Sequence, residues 1–447
     1  MKGLRNVHWH RTIREIWQSL WVVPLLCTLA ALALSFVFIH WDETDPIVLS
    51  KAINSSSASA ALSALGSGML AFTGFVTAVV LMVVQFGTSE FSPRFVAWFR
   101  RDRTLKYALS TFTATFVFAL VSTAQIGRGT SSFVPTRTLI AAVCLMLLSI
   151  LMFLVLIQVT TNGLRVANAV QNVDSEARVV FDAVYPSDGA TAAAAIAAAQ
   201  SLQGQTPIQT VHQGNVGSVL VALDRDDMAR LATQHDAVIV LIPAVGDHVS
   251  ANASLLNVYG SNEIPDQRLR RALVFGDERT IDDDPAFAIR MLVDVAIKAL
   301  SPAINDPTTA VQSLDRIEDL LRYASVKHLS VGVVVDKEGV NRFIYPTPTW
   351  EDLVELALSE IRAFGANQYQ IDRRLRALLQ SLIAEVPSRR RAALEGQLSL
   401  LDDAIVGSIP EGQRAPALVA DRQGLGMSHR DPVGDGKTTA LPIEAHS

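Results

Sequence analysis

Five carboxylates crowd into eight residues, Asp277, Glu278, Asp282, Asp283 and Asp284. A hard divalent cation would use such a cluster. Capping explains the same residues, because Asp284-Pro285 reads as a helix start with Asp outside the first turn and Pro at its first position. The nine histidines fall at no metal-ligand spacing, and no phosphate-binding glycine loop or nucleophile elbow is present. No metal or cofactor is called for, and an enzyme is the less favoured class. A second chemistry lies in the apolar runs of the first third. There Ser63, Ser67, Gly74, Thr77, Gln85 and Thr88 fall near one helical face, and Thr111, Thr115, Ser122 and Gln125 recur at helical spacing. Such residues either let helices pack closely and hydrogen-bond across their interface or line a polar path. The spacing favours packing, and four helices would enclose a path only as part of an oligomer.

These residues need helices to carry them. The chain has 447 residues, half of them hydrophobic, and the excess is concentrated in runs too long for ordinary core helices. A helix of about 20 apolar residues crosses the hydrocarbon, and four stretches qualify: about 20–40, 62–86, 107–127 and 138–161. Lys2, Arg5, Arg11 and Arg14 precede the first, but its end at Phe36-Val37-Phe38-Ile39 lacks a small-residue cleavage site. It therefore reads as a retained span rather than a signal peptide. Residues 1–19 read as a basic interfacial segment, with Trp9, Ile13, Ile16 and Leu20 on one helical face. No acid, base or histidine sits mid-span, which argues against a proton relay.

Orientation follows from basic residues in short loops. The N-terminal segment and the second loop (Arg94, Arg100, Arg101, Arg103, Lys106) are basic, whereas the first loop carries Asp42, Glu43 and Asp45. Both termini are expected in the cytoplasm, with the chain multi-pass. The net charge of −5 gives no ground for nucleic-acid binding. The expected partners are the lipid bilayer and further copies of the chain. Cys27 and Cys144 lie inside apolar runs and read as small hydrophobes rather than a disulfide.

Beyond the spans, residues 165–204 read as a helical connector with an alanine-rich stretch at Ala190–Ala199. Residues 205–408 read as a mixed α/β (α+β) cytoplasmic domain, and 409–447 as a disordered tail. Strands are expected at Ser218–Leu223, Ala237–Pro243 and Ser330–Val335. Helices are expected after Asp224, Asp284 and Asp306, from Glu351 to Glu385, and near Arg389–Ile405. Gly246-Asp247-His248-Val249 followed by Leu255-Leu256-Asn257-Val258 resembles half of a lipoyl-like or barrel-sandwich hairpin, but no lysine stands at its tip, and a small β module is expected there.

Three segments together resemble a known family: Gln85 to Ser92-Pro93-Arg94, Phe275 to Thr280 with Asp284-Pro285, and Ala299-Leu300-Ser301-Pro302-Ala303-Ile304-Asn305-Asp306-Pro307. They are similar to the bacterial predicted integral membrane proteins called domain of unknown function 2254, over most of the chain. The resemblance implies an inner-membrane location and adds no catalytic residue. It directs attention to Asp294, Lys298, Asn305 and Asp306 as a candidate cytoplasmic site. In the membrane the corresponding candidates are Ser67, Thr77, Gln85, Thr111, Thr115, Ser122 and Gln125. The leading expectation is an oligomeric channel- or transporter-like protein with a cytoplasmic gating or assembly domain. The alternative is a non-conducting, membrane-anchored sensor or scaffold.

Overall fold

Lipid offers a backbone amide no partner, so the apolar runs must satisfy their own hydrogen bonds as helices. The computed structural model describes residues 21–45, 55–90, 103–126, 135–163, 166–185, 202, 204–329 and 332–427. The chain divides into two units, Met1–Ala169 and Val170–Ser447. The basic N-terminal segment, the loop around Arg94–Arg101, the alanine-rich stretch and residues 428–447 lie outside the described residues.

The first unit contains α1 (Val22–Thr44), α2 (Ser55–Glu90), α3 (Arg103–Ile126) and α4 (Thr136–Gly163). All four are long and apolar enough to cross a membrane. Helix α3 is the central one. It packs against the other three, and 39% of its apolar stretch is buried against 17–22% for its neighbours. Contacts at Thr28–Thr113 and Ser35–Ser122 set α1 parallel to α3. Aromatic edges at Phe72–Phe112 and Phe38–Phe118 fill the helix contacts. Two boundaries differ from expectation. Helix α2 starts at Ser55, because the uncharged Ser/Ala segment ahead of Leu62 continues the helix without a breaker. Helix α1 runs on to Thr44, so Asp42 belongs to its last turn rather than to a loop. Cys27 and Cys144 are free, and Cys144 is exposed rather than buried.

The second unit begins in α5 (Val166–Val184), which crosses the boundary between units, and then adds a mixed α/β arrangement. Its strands are β1 (Gln209–His212), β2 (Ser218–Leu223), β3 (Ala237–Leu241), β4 (His248–Val249), β5 (Ser254–Gly260), β6 (Leu273–Gly276), β7 (Val333–Val335) and β8 (Asn341–Ile344). They form a five-stranded sheet ordered β1-β5-β3-β8-β7 and a three-stranded sheet ordered β4-β2-β6. Only β3 and β8 pair in parallel within the first sheet. The lipoyl-like reading of residues 246–258 is corrected. Strand β4 pairs with β2 while β5 pairs with β1 and β3, so the two halves sit in different sheets and form no hairpin.

The short helices α6 (Arg225–Gln234) and α7 (Asp266–Arg271) accompany the strands. A helical layer follows: α8 (Pro285–Ala299), α9 (Pro307–Ser325), α10 (Trp350–Gly365), α11 (Tyr369–Glu385) and α12 (Ser388–Ser408). Helix α8 is apolar nearly all round and buried, as a central helix must be, and packs on α9 and α10. The expected single helix from Glu351 to Glu385 is two helices. Asn367 has φ +71°, and a side chain at Gly365 would strike Ile371, so the chain turns sharply there. Residues 409–427, assigned by composition to the tail, pack along α11. Arg373 donates to the carbonyls of Pro416 and Gly424, and Ala417 is buried.

Candidate functional site

The polar groups of the membrane unit divide by helix. On α3, Thr115 is buried 2.9 Å from Ser149 of α4 and donates to its own helix at Thr111. Ser122 is buried 3.1 Å from Ser35 of α1, and Gln125 donates to the same Ser35 at 3.0 Å. Thr111 is half-buried and donates to the Tyr107 carbonyl. The third-span stripe is thus committed to contacts inside the subunit, with the geometry expected of hydroxyl packing between apolar helices.

Helix α2 is different. Leu62, Gly66, Met69 and Val76 face the other helices, and a Cβ on Gly66 would stand 3.7 Å from Ala119. On the opposite face Ser63 and Ser67 are exposed, as is Gln85, and nothing lies within 4 Å of Gly68 or Gly74. Ser67 donates to the Ser63 carbonyl at 2.9 Å. Thr77 belongs to neither face. It borders an open groove of about 470 Å³ between α1 and α2, with α3 behind, together with Trp21, Thr28, Thr73, Leu109 and Thr113.

Sequence reasoning missed a further polar contact, at the other end of α1. Asp42 is fully buried, and its carboxylate accepts from the backbone N–H groups of Arg137 and Thr138 and from the Thr138 hydroxyl at 2.8–3.0 Å. A residue of one span therefore caps the first turn of another, where the four leading N–H groups lack partners. Arg137 completes the clasp through Asp45 and the face of Trp41. The visible signal was an acid at the end of one span and Arg-Thr at the start of another.

In the second unit three of the four expected residues separate into two structural roles. Asp294, buried, pairs with Arg290 one turn earlier, and Arg290 also reaches Glu360 of α10. This chain of charges ties α8 to α10. Asn305 and Asp306 form the turn into α9. Asn305 takes the left-handed conformation at φ +50°, which Asn tolerates better than most residues. Asp306 is the N-cap, accepting from Thr309 N at 3.1 Å and Thr309 Oγ1 at 2.6 Å, and Pro307 occupies the first helical position. Lys298 lies one turn beyond Asp294 on α8, half-buried.

Two members of the acidic cluster, Asp283 and Asp284, are engaged in a cap and in ion pairs. Asp284 caps α8 through Phe287 N and pairs with Arg279, packed so tightly against Gly246 that a side chain there would clash. Asp283 accepts from Leu223 N at 3.3 Å and faces Arg225, whose guanidinium lies over Tyr345. Burial pushes both carboxyls above the usual carboxylate range, against the opposing pull of their arginines. Beside them Tyr185 is buried with its hydroxyl unpartnered, and burial raises it too. Thr280 Oγ1 and Arg225 Nε are also buried without a partner. Nothing in the spacing marked Tyr185, which lies almost 100 residues upstream of the acids it faces. Among the described residues no three His, Cys, Asp or Glu side chains stand together as a metal site.

Comparison with known proteins agrees with this architecture. Uncharacterized proteins from Mycobacterium bovis and Mycobacterium tuberculosis are each 26% identical over 346 residues. The match covers 74% of this chain and 65% of each of theirs, so the chain spans just under two thirds of these relatives' length. No solved structure matches. The family described as "Predicted membrane protein (DUF2254)" matches residues 17–381, from just before the first span to near the end of α11. With four candidate spans ahead of a mixed sheet-and-helix region, the chain belongs to that predicted membrane protein family.

Proposed function

We propose that the protein is an oligomeric, channel- or transporter-like component of a bacterial inner membrane. In this reading both termini are cytoplasmic, and the second unit gates or assembles the membrane unit. The observation that carries it is the outward face of α2, where Ser63, Ser67, Gly68 and Gly74 point away from every helix of their own subunit. Lipid gains nothing from such a face. A second copy does, because small residues let backbones approach and hydroxyls pair across the contact. Exposed Ser63, Ser67 and Gln85 would then line a path between copies.

The purified full-length chain in liposomes tests this. Ion or small-solute flux that disappears when Ser67 is replaced by Leu, together with a subunit number above one, is the expected result. A tight vesicle at every ion tried would instead favour the second reading, a non-conducting sensor or scaffold. That reading draws its support from α3, whose Thr111, Thr115 and Ser122 hydroxyls are engaged inside the subunit.

A further inference from the structure

We propose that Gln368, Asp372 and Arg376 form a proton-operated switch on α11. Protonated Asp372 donates to Gln368 and leaves Arg376 to Asp402 of α12, whereas ionised Asp372 draws Arg376 to itself and frees the end of α12. The inference stands whether or not anything is conducted. Its basis is a row of three polar atoms, Gln368 Oε1, Asp372 Oδ2 and Arg376 Nε, all buried and all without a hydrogen-bond partner. Gln368 is the N-cap of α11, and a spacing of four sets the three residues along one side of the helix. A buried polar atom left unpaired costs free energy, and each protonation state of Asp372 relieves a different one. A proton on Asp372 supplies the donor that Gln368 Oε1 lacks. Its departure leaves a carboxylate one turn from a guanidinium with an N–H to spare.

Competition for Arg376 carries the effect to a second element. Arg376 is buried and pairs through Nη2 with Asp402, whose side chain is 46% exposed. Asp372 is 2% exposed, so its charge is the costlier one to leave unpaired, and on ionisation the guanidinium turns inward. The other charges brought to α11 are engaged elsewhere. From α9, Asp315 and Glu318 hold Arg374. From α10, Arg362 reaches Gln397 of α12. In the 409–427 segment, Asp421 accepts from the amides of Gln423, Gly426 and Met427, and Arg414 donates to the carbonyls of Val406 and Ile409. Arg376 is the charge that bears on Asp372, and burial outweighs it, pushing the carboxyl up to about 7. The switch therefore turns near neutral pH. The first turn of α12 is held separately, by Trp350 donating to the Arg390 carbonyl. Loosening is thus confined to the turns from Asp402 to Ser408, which lead into the segment that Arg373 holds against α11.

The test is amide hydrogen exchange of the full-length protein in detergent, read by mass spectrometry over residues 400–408. It runs from pH 6 to 8.5 and is corrected for the intrinsic pH dependence of exchange. Wild type should lose protection there roughly two- to fivefold, the scale of one half-exposed ion pair, with a midpoint at about 7. Asp372→Asn, whose amide still donates to Gln368 but cannot ionise, should hold the pH 6 level throughout. Asp402→Asn should show the lower protection at every pH. Gln368→Leu removes the acceptor of the protonated form and should move the midpoint down by roughly half to one pH unit, the worth of one hydrogen bond. That variant carries the test by itself if Asp372→Asn fails to fold. Protection in wild type that does not change with pH overturns the proposal. So does a pH dependence that survives undiminished in Asp372→Asn, or a midpoint that Gln368→Leu leaves in place.

Discussion

At the scale of single residues, carboxylates that resemble a site are engaged in holding the chain's own backbone or partners. Asp306 accepts two hydrogen bonds from Thr309, and a serine could accept the first of them. Asp306→Ser in the full-length protein should therefore leave the thermal midpoint close to wild type, while Asp306→Ala should cost about 1 kcal/mol. If the serine variant falls as far as the alanine one, the carboxylate does more than cap. Asp372 makes the opposite case. It is buried on α11 with Oδ2 unpartnered. Burial pushes its carboxyl up to about 7, with Arg376 one turn away pulling it down only in part. A raised acid holds its proton in the folded state while the unfolded chain has released it. The contribution of Asp372 to stability is then greatest below about pH 4 and is lost as pH rises towards 7. Asp372→Asn should remove that slope and exceed wild-type stability at pH 8 by on the order of 2–4 kcal/mol. Thermal midpoints measured from pH 5 to 8 decide it, and parallel curves for the two proteins would refute the assignment.

At the scale of elements, the two hydroxyl stripes were equivalent by spacing and become different by position. Thr115 is packed between α3 and α4 against Ser149, whereas Thr77 borders the open groove. Thr115→Leu must push two helices apart and lose the contact to Ser149, a destabilisation of roughly 1–3 kcal/mol. Thr77→Leu extends into open space and should assemble normally. Monodisperse yield in detergent separates the two, and equal loss for both would mean that the groove is closed in the assembled protein. Element boundaries show why sequence stopped short. The Asp-Pro starts of α8 and α9 are local chemistry, and both formed where the dipeptides stood. The break at Asn367 depends on a left-handed residue and on Ile371 closing over Gly365. The composition of the helical run around it conceals both.

At the scale of the whole molecule, cytoplasmic termini are an expectation that comes from the basic residues of the second loop. Reporter fusions after Ile53 and after Arg165 should appear on opposite sides of the membrane, and the same side for both would end that topology. The sequence by itself determined the four apolar helices, because in lipid a long uncharged run has one way to satisfy its backbone. It also determined the local caps at Asp284 and Asp306, whose donors and acceptors lie within three residues of one another. Only the tertiary structure decided which face of each helix is covered. The period of Ser63, Ser67 and Thr77 is the same whether a neighbour stands against it or not. The placement of β4 and β5 in separate sheets, the Asp42 clasp across 95 residues and the burial of Tyr185 beside Asp284 were likewise invisible. Each joins residues far apart in the chain, and pairings of that kind are set by how the elements pack rather than by any local pattern.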